Sequence, residues 1–135
     1  MEDRLRSLLS EHHRGTLTTI KRDGRPQLSN VVYTLSDGVI RISVTDGRAK
    51  TANLRRDPRA SFHVSPDFWT YVVAEGTASL SPVAASPDDE TVDELVDIYR
   101  AVSGEHPDWA EFRQAMVDDK RLVIRIPVDR VYGQA

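Results

Sequence analysis

Cysteine is missing from this sequence of 135 residues, and its absence excludes several kinds of site. A chain without cysteine has no disulfide framework, no thiolate-bound metal and no cysteine nucleophile. No apolar run approaches the length of a membrane span. The N-terminal stretch MEDRLRSLLSEHHRG carries charges throughout and lacks the apolar core of a signal peptide. These absences predict a cytoplasmic protein that does not associate with membranes.

An excess of basic residues is also missing. The sequence has 18 Lys and Arg residues against 21 Asp and Glu residues, which gives a formal net charge of −3. Because nucleic-acid-binding domains are usually basic, this balance argues against general nucleic-acid binding. The length suits a single domain, residues 1–135, that can bury a core without disulfides or metals.

The familiar catalytic patterns are absent as well. There is no Gly-x-Ser-x-Gly motif, and no catalytic triad can be assembled from the sequence. The four histidines are His12, His13, His63 and His106, and none stands at metal-ligand spacing with a carboxylate. We therefore predict no metal site and assign no catalytic residue.

What the chain does have is a basic stretch, Gly47–Arg59, that reads GRAKTANLRRDPR. It holds one acid, Asp57, and five basic residues: Arg48, Lys50, Arg55, Arg56 and Arg59. A predicted strand and a turn precede it, and Pro58 ends the helix that it predicts. The free N–H groups and the dipole at the start of such a helix favour a bound anion, such as a phosphate.

Two interpretations of the basic stretch stay open at this point. Most charge runs are solvated helix faces, and composition alone does not separate that role from an anion site. Thr51 and Asn53 favour the anion site. Both have lower helix propensity than Glu, Ala or Gln, which would serve better in a helix that only faces solvent.

The hydrophobic pattern predicts a mainly β fold with flanking helices. Two Asp-Gly turns predict hairpins and a mostly antiparallel sheet, and Gly76 predicts a bulge or bend in the longest strand. The predicted strands are Thr16–Lys21, Gln27–Leu35, Val39–Thr45, Ala60–Ser65, Trp69–Ser81 and Arg121–Ile126, with Val128–Tyr132 as a continuation or an edge. The predicted helices are Asp3–His12, the basic helix, a helix capped by Ser86 or Asp88 that runs to about Val102, and Asp108–Val117. Six short strands with a bend predict a small barrel with its helices outside.

An anion site without a nucleophile or a metal suggests that a bound cofactor performs the chemistry. Polar residues of the second and third strands would lie near the anion site if those strands pair, and they could hydrogen-bond a flavin-like ring. These residues are Gln27, Ser29, Asn30, Ser43 and Thr45. Ordinary solvent-facing strand positions are the alternative for Gln27 and Ser29. Trp69 and Tyr71 could stack on a ring or belong to the core.

Three stretches resemble one known superfamily: TIKRDGRPQLSNVVY at 19–33, GRAKTANLRRDPRASFHV at 47–64 and WTYVVAEGTASL at 69–80. They resemble the pyridoxamine 5′-phosphate oxidase-like, FMN-binding split-barrel superfamily. More closely, they are similar to its actinobacterial branch of coenzyme F-420 (deazaflavin)-dependent enzymes. AVSGEHPDW and the closing RVYG continue the match, so the resemblance covers nearly the whole chain.

The resemblance implies a homodimeric, six-stranded antiparallel split β-barrel with two cofactor sites at the subunit interface. It implies that Arg48, Lys50 and Thr51 bind the cofactor phosphate. It also implies that Gln27, Asn30 and Thr45 lie near the phosphate-bearing chain or the ring, and that Trp69 approaches from the partner subunit.

The activity that the resemblance implies is an oxidoreductase. Reduced coenzyme F-420 would donate a hydride to an unsaturated or quinone-like organic substrate. FMN-dependent oxidation or reduction on the same fold, and a non-catalytic deazaflavin-binding protein, are the alternatives. The sequence ends in RVYGQA, without the arginine- and tryptophan-containing segment of true pyridoxamine phosphate oxidases, so we do not expect pyridoxamine phosphate as the substrate.

The number of basic residues adds one expectation about the cofactor. Five cations exceed what one phosphate monoester needs, so Arg55, Arg56 or Arg59 could meet the acidic tail of a deazaflavin. Solvation of the helix, or pairing with Asp57, is the alternative for these three arginines.

Overall fold

The computed structural model describes residues 1–135 and contains four helices and nine strands. The helices are α1 (Glu2–Glu11), α2 (Ala49–Arg56), α3 (Glu90–Ser103) and α4 (Trp109–Asp118). The strands are β1 (Arg14–Ile20), β2 (Pro26–Val32), β3 (Thr34–Ser36), β4 (Val39–Thr45), β5 (Arg59–Asp67), β6 (Thr70–Thr77), β7 (Ser79–Leu80), β8 (Arg121–Pro127) and β9 (Arg130–Gln134). None of the helices is both long enough and apolar enough to cross a membrane.

The strands form two antiparallel sheets around a shared core. One sheet has the order β2-β1-β5-β6-β9 and the other has the order β3-β4-β8-β7. Their inner faces and α1 contribute to one cluster of 18 buried apolar residues. The predicted mainly β, antiparallel architecture is confirmed. The count of six strands is wrong, because there are nine strands in two sheets and the sheets do not close into a barrel.

Two of the predicted strands each divide between the sheets. The predicted strand Gln27–Leu35 breaks at Tyr33, where the chain passes from β2 in one sheet to β3 in the other. The Tyr33 side chain is fully buried at this crossing, and its hydroxyl donates a hydrogen bond to the carbonyl of Leu9 in α1. The predicted strand Trp69–Ser81 divides in the same way between β6 and β7.

The expected bulge at Gly76 is wrong, because Gly76 pairs in regular register with Ala60. The register shift of this sheet lies instead between Val64 and Asp67 in β5. A Cβ atom at position 76 would lie 2.2 Å from the carbonyl oxygen of Pro127, so only glycine allows this close approach of the two sheets.

The smaller sheet has one apolar face and one polar face. Ile40, Ile42 and Val44 of β4 point into the core, opposite the buried apolar residues of β8. Most alternate positions of the two strands are polar, and they carry Arg41, Ser43, Thr45, Arg121 and Arg125. Helices α3 and α4 pack against this polar face, with Val123 of β8 in a second apolar cluster that they share.

Helix α3 begins one residue later than a cap at Asp88 predicts and three residues later than a cap at Ser86 predicts. Asp89 is its N-cap and accepts a hydrogen bond from the N–H group of Val92, so neither Ser86 nor Asp88 is the cap. The predicted end is confirmed, because Gly104 follows the helix with a φ of 81°. Over the sheet, Glu94 of this helix bonds to both Arg41 and Arg125, which holds α3 against the polar face.

The larger sheet has an outer face that no helix covers, and we call it the open face. One row across it runs from Leu28 through Thr18, Ser61 and Glu75 to Arg130, as the strand registers place these residues side by side. The next row runs from Asn30 through Thr16, His63 and Val73 to Tyr132. Leu28, Val32 and Tyr132 are large apolar side chains exposed on this face.

Candidate functional site

A cleft of about 610 Å³ lies between the polar face of the smaller sheet, the helices α3 and α4, and the end of β2. This volume falls within the range of small-molecule sites, about 300–1,000 Å³. One end is polar and contains Ser43, Thr45, Arg48, Lys50 and Arg121. One side, which we call the helical wall, is formed by Leu95, Ile98, Tyr99, Val102, Phe112 and Met116, with Ser103 at its end. Asn30, Val31 and Val32 form the remaining edge. We call the whole site the cationic cleft.

Three cations meet at the polar end without an acidic partner. Arg48, Lys50 and Arg121 take part in none of the ion pairs of the structure. The Nε atom of Arg48 donates to the hydroxyl of Thr45 at 3.1 Å. Cations held together around a cleft without a carboxylate create a positive local potential, so they indicate a place for an anion.

The charges of the three cations influence one another. The pKa of Lys50 lies below its ordinary value, first because burial disfavours the charged form and then because Arg48 and Arg121 repel it. An anion bound in the cleft would raise the pKa of Lys50 again, because a nearby negative charge favours the charged lysine. A cavity-lining group with a shifted pKa and named charged neighbours is typical of binding and catalytic sites.

The start of α2 adds backbone donors to the same end of the cleft. Its N-cap is Arg48, which makes no side-chain capping hydrogen bond, so the first N–H groups of the helix lack a side-chain partner. The hydroxyl of the fully buried Thr51 donates to the carbonyl of Thr45 at 3.1 Å and fixes the helix against the end of β4. Because its hydroxyl proton is committed there, Thr51 would contact an anion through its backbone N–H group.

Four of the seven predicted site residues line the cationic cleft: Asn30, Thr45, Arg48 and Lys50. Ser43, which the strand pattern also placed near the anion site, lines it too. Thr51 does not line the cleft, because its buried side chain is hydrogen-bonded to the carbonyl of Thr45.

Two predicted site residues lie outside the cleft. Gln27 accepts a hydrogen bond from Thr19 and donates one to Ser29 at 2.8 Å, and none of these three residues lines the cleft. Trp69 stands in the turn between β5 and β6 with 72% of its surface exposed, against the ring of Phe68. Within one chain it does not reach the cleft, so its predicted contact from a partner subunit stays a prediction.

Sequence reasoning missed Arg121 and the helical wall. Arg121 opens a strand that was predicted, but nothing in the local sequence indicates that this residue lies opposite Thr45. Only the pairing of β4 with β8 brings it to the cleft. The sequence pattern predicted the two amphipathic helices of the helical wall. It did not indicate that some of their apolar residues line a cleft and are not fully buried in the core.

The other arginines of the basic stretch are occupied elsewhere. Arg59 pairs with Asp57 at 2.8 Å, and the Arg59 hydrogen bond lowers the pKa of that carboxyl to about 2. Arg56 donates to the carbonyl of Ile20 at 2.8 Å, and Arg55 lies 2.8 Å from the Asp46 carboxylate. The alternative of pairing with Asp57 is therefore confirmed for Arg59.

Asn53 has a structural role in place of the anion-site role that its polarity indicated. Its side chain is 7% exposed and donates to the hydroxyl of Thr19 at 3.1 Å, which joins α2 to β1. It also accepts from Arg56. The polar residues of α2 thus divide between the cleft at its start and packing at its end.

A family model described as pyridoxamine 5′-phosphate oxidase matches residues 1–135. The chain belongs to the pyridoxamine 5′-phosphate oxidase family. Membership confirms the predicted superfamily, and it supports the description of the two sheets as a split barrel.

Solved structures with this arrangement come from several kinds of protein. A conserved hypothetical protein, Rv2991, from Mycobacterium tuberculosis is 26% identical, with a TM-score of 0.76 over 99% of this chain and 84% of the other. An F420 reductase is 21% identical, with a TM-score of 0.71 over 93% of this chain and 94% of the other. A FAD-binding protein from Mesorhizobium loti is 20% identical, with a TM-score of 0.70 over 98% of this chain and 91% of the other. The last two likenesses show a shared fold.

Proposed function

We propose that the cationic cleft binds a phosphate-bearing flavin or deazaflavin and that the protein is an oxidoreductase. The specific form of the proposal is a reductase that uses reduced coenzyme F-420 as the hydride donor to an unsaturated organic acceptor. The observation that carries it is the meeting of Arg48 and Lys50, neither of which has an acidic partner, with the start of α2 at one end of a cleft that has an apolar wall. The F420 reductase among the solved structures of this fold agrees with the choice of cofactor.

The residues present fit such a group. A phosphate accepts hydrogen bonds from Arg and Lys side chains and from N–H groups at a helix start, and all three lie at the polar end of the cleft. A planar ring system needs apolar side chains beside it, with a few polar groups to fix its orientation. The helical wall supplies the first, and Asn30, Ser43 and Thr45 supply the second.

In this proposal the protein contributes binding, orientation and the exclusion of water. When bound, a reduced deazaflavin supplies a hydride. Arg48, Lys50 and the start of α2 fix the phosphate end, so the reactive ring is held at a defined place. Helices α3 and α4 cover one side of the cleft, which limits the access of water.

A second copy of the chain would cover the side of the cleft that is still open. Asn30 and Val32 belong both to the edge of the cationic cleft and to the open face. A partner seated on that face would therefore close the cleft. Trp69 of the partner subunit is the residue that we propose to approach the cofactor, and the exposure of its ring leaves it available for that contact.

Titration calorimetry of the purified protein with coenzyme F-420 and with FMN tests the proposal. We expect saturable binding of coenzyme F-420 and a loss of affinity in Lys50→Ala. Lys21→Ala is the matched control, because Lys21 is an exposed lysine in the β1–β2 turn, outside the cleft. Turnover is then followed with the reduced deazaflavin and a panel of unsaturated and quinone-like acceptors.

FMN-dependent oxidation or reduction is the second candidate, and the family description and the FAD-binding protein of the same fold favour it. A yellow purified protein with tightly held FMN and no affinity for coenzyme F-420 would establish this candidate. Tight deazaflavin binding without turnover across the acceptor panel would indicate a cofactor-binding protein. Failure of both cofactors to bind the wild-type protein would refute the proposed function.

A further inference from the structure

Arg121 differs from the other arginines that lie on the polar face of the smaller sheet. Arg41 and Arg125 face each other across β4 and β8, and both bond to the carboxylate of Glu94. Arg121 has no acidic partner. Glu94 of helix α3 therefore pairs with two of the three arginines on this face and leaves the third, at the cleft, without an acidic partner.

The guanidinium of Arg121 is only partly hydrogen-bonded within the chain. Its Nη1 atom donates to the hydroxyl of Ser43 at 3.3 Å, and its Nε atom is buried without any hydrogen-bond partner. Buried guanidinium donors without a partner are rare in folded proteins, because each one costs its desolvation free energy. A planar carboxylate is a natural partner for such a group, because it accepts two parallel hydrogen bonds from one guanidinium.

Charge balance indicates that this anion is separate from the cofactor phosphate. A phosphodiester carries one negative charge, and a phosphate monoester carries about −1.5 to −2 at neutral pH. Arg48, Lys50 and the start of α2 already supply two full charges and the positive end of a helix dipole. Arg121 is then the cation that the phosphate does not need.

The helical wall determines what would accompany this second anion. Tyr99, Val102 and Met116 line the same cleft as Arg121, so a ligand that reaches the guanidinium lies against apolar and aromatic side chains. A small polar acid such as acetate would leave this apolar surface in contact with water. A ligand with an aromatic or apolar body and one carboxylate would match both features.

We propose that Arg121 binds the carboxylate of an organic acid acceptor whose apolar body packs on the helical wall next to the cofactor ring, so that the two ligands share this wall. The acceptor is thus an unsaturated, apolar carboxylic acid, held beside the cofactor. That the bound acid accepts the hydride rests on the proposed function. That the cleft binds an apolar carboxylate rests on the geometry of the cleft alone.

The test compares two probes of the same shape, trans-cinnamate and the uncharged cinnamamide, by titration calorimetry. The wild-type protein is first saturated with whichever oxidised cofactor it binds, so that no turnover occurs and the phosphate site is filled. We expect cinnamate to bind about tenfold or more tightly than cinnamamide, which is the effect of a charge-assisted hydrogen bond. Arg121→Gln should make the two probes equal and change the cofactor affinity by less than about threefold.

Two further variants separate charge from packing. Arg121→Lys keeps the cation and should retain part of the preference for cinnamate, and it replaces Arg121→Gln if that variant does not fold. Val102→Ser reduces the apolar surface of the wall, so it should weaken cinnamate and cinnamamide by the same factor. Lys50→Gln is the reference for the phosphate site and should lose cofactor affinity.

Three results would overturn the inference: equal binding of the two probes by the wild-type protein, a preference that survives in Arg121→Gln, or a loss of cofactor affinity in Arg121→Gln as large as in Lys50→Gln. The last result would place Arg121 in the phosphate site. If no cofactor binds at all, the proposed function fails, and the probes are compared on the free protein. A preference for cinnamate that Arg121→Gln removes and Lys50→Gln keeps would still support the carboxylate site.

Discussion

Thr45 and Arg121 face each other across the antiparallel pair of β4 and β8. Thr45 is the last residue of the strand that leads into the basic helix, and Arg121 is the first residue of a strand far away in the chain. Their pairing unites a cation of β8 with Arg48 and Lys50 of the α2 start. The cationic cleft therefore depends on a tertiary contact, and the basic stretch alone forms only part of it.

Lys50→Ala should weaken the binding of a phosphate-bearing cofactor by about 1.5–3 kcal/mol, the range for hydrogen bonds to charged groups. The fold should persist, because Lys50 makes no hydrogen bond or ion pair in the chain and is repelled by its neighbours. Calorimetric titration measures the affinity, and thermal unfolding measures the stability. Unchanged affinity in Lys50→Ala, with Lys21→Ala as the matched control, would remove Lys50 from the site.

Binding of the phosphate should take up protons at alkaline pH. Burial and the charges of Arg48 and Arg121 lower the pKa of Lys50 in the free protein, and a bound anion favours the charged lysine. The affinity should therefore fall as the pH rises through the lowered pKa. Calorimetry in two buffers of different ionisation enthalpy counts the protons. Lys50→Arg should abolish the uptake, because arginine does not titrate in this range; an uptake that persists would assign the effect to another group.

The same lowered pKa predicts that the contribution of Lys50 to the stability of the protein, unlike the affinity for the cofactor, increases as the pH rises. The folded protein binds fewer protons at Lys50 than the unfolded chain does, in the window below the ordinary lysine pKa. The contribution of Lys50 to the free energy of unfolding should therefore become more favourable as the pH rises through this window. Urea unfolding of the wild-type protein and Lys50→Ala at several alkaline pH values measures it, and the two stabilities should converge as the pH rises.

The parts of this fold that sequence could predict are those decided locally. β4 has the predicted bounds, because strict alternation of apolar and polar residues between two turn signals leaves one solution. The start of α2 follows from the glycine turn and the basic stretch. The division of two strands at Tyr33 and after Thr77 depends on where the chain must change sheets, which no local pattern records.

The candidate site divides in the same way. Arg48 and Lys50 come from one continuous stretch and were found, whereas Arg121 enters through strand pairing and was not. Asn53 indicated the anion site by its polarity, but a polar residue in a helix can equally serve a buried hydrogen bond to a neighbouring strand. Composition does not distinguish these two roles.

Glu94→Gln should destabilise the protein by about 1–3 kcal/mol, between the values for exposed and buried ion pairs. Although burial raises the pKa of Glu94, the hydrogen bonds and charges of Arg125 and Arg41 outweigh it, and the net pKa is low. The stabilisation should be full above the ordinary pKa of glutamate and be lost as the pH falls through the lowered value. Urea unfolding at neutral and acid pH measures this. Asp97→Asn, an exposed acid of the same helix, is the control and should show neither effect.

Leu28→Asp should separate the proposed homodimer into monomers. Leu28 is 61% exposed on the open face, so a second copy would bury it, while a monomer has no structural need for an apolar residue there. A pair of buried aspartates at the interface would leave charges without partners. Analytical ultracentrifugation should give a dimer for the wild-type protein and a monomer for Leu28→Asp. Cofactor affinity should fall in the monomer, because one side of its cleft is then open.

Ser36→Asp adds the same charge in the exposed β3–β4 region and should remain dimeric. A wild-type protein that is monomeric at all concentrations, or a Leu28→Asp dimer, would show that the open face does not bind a second copy.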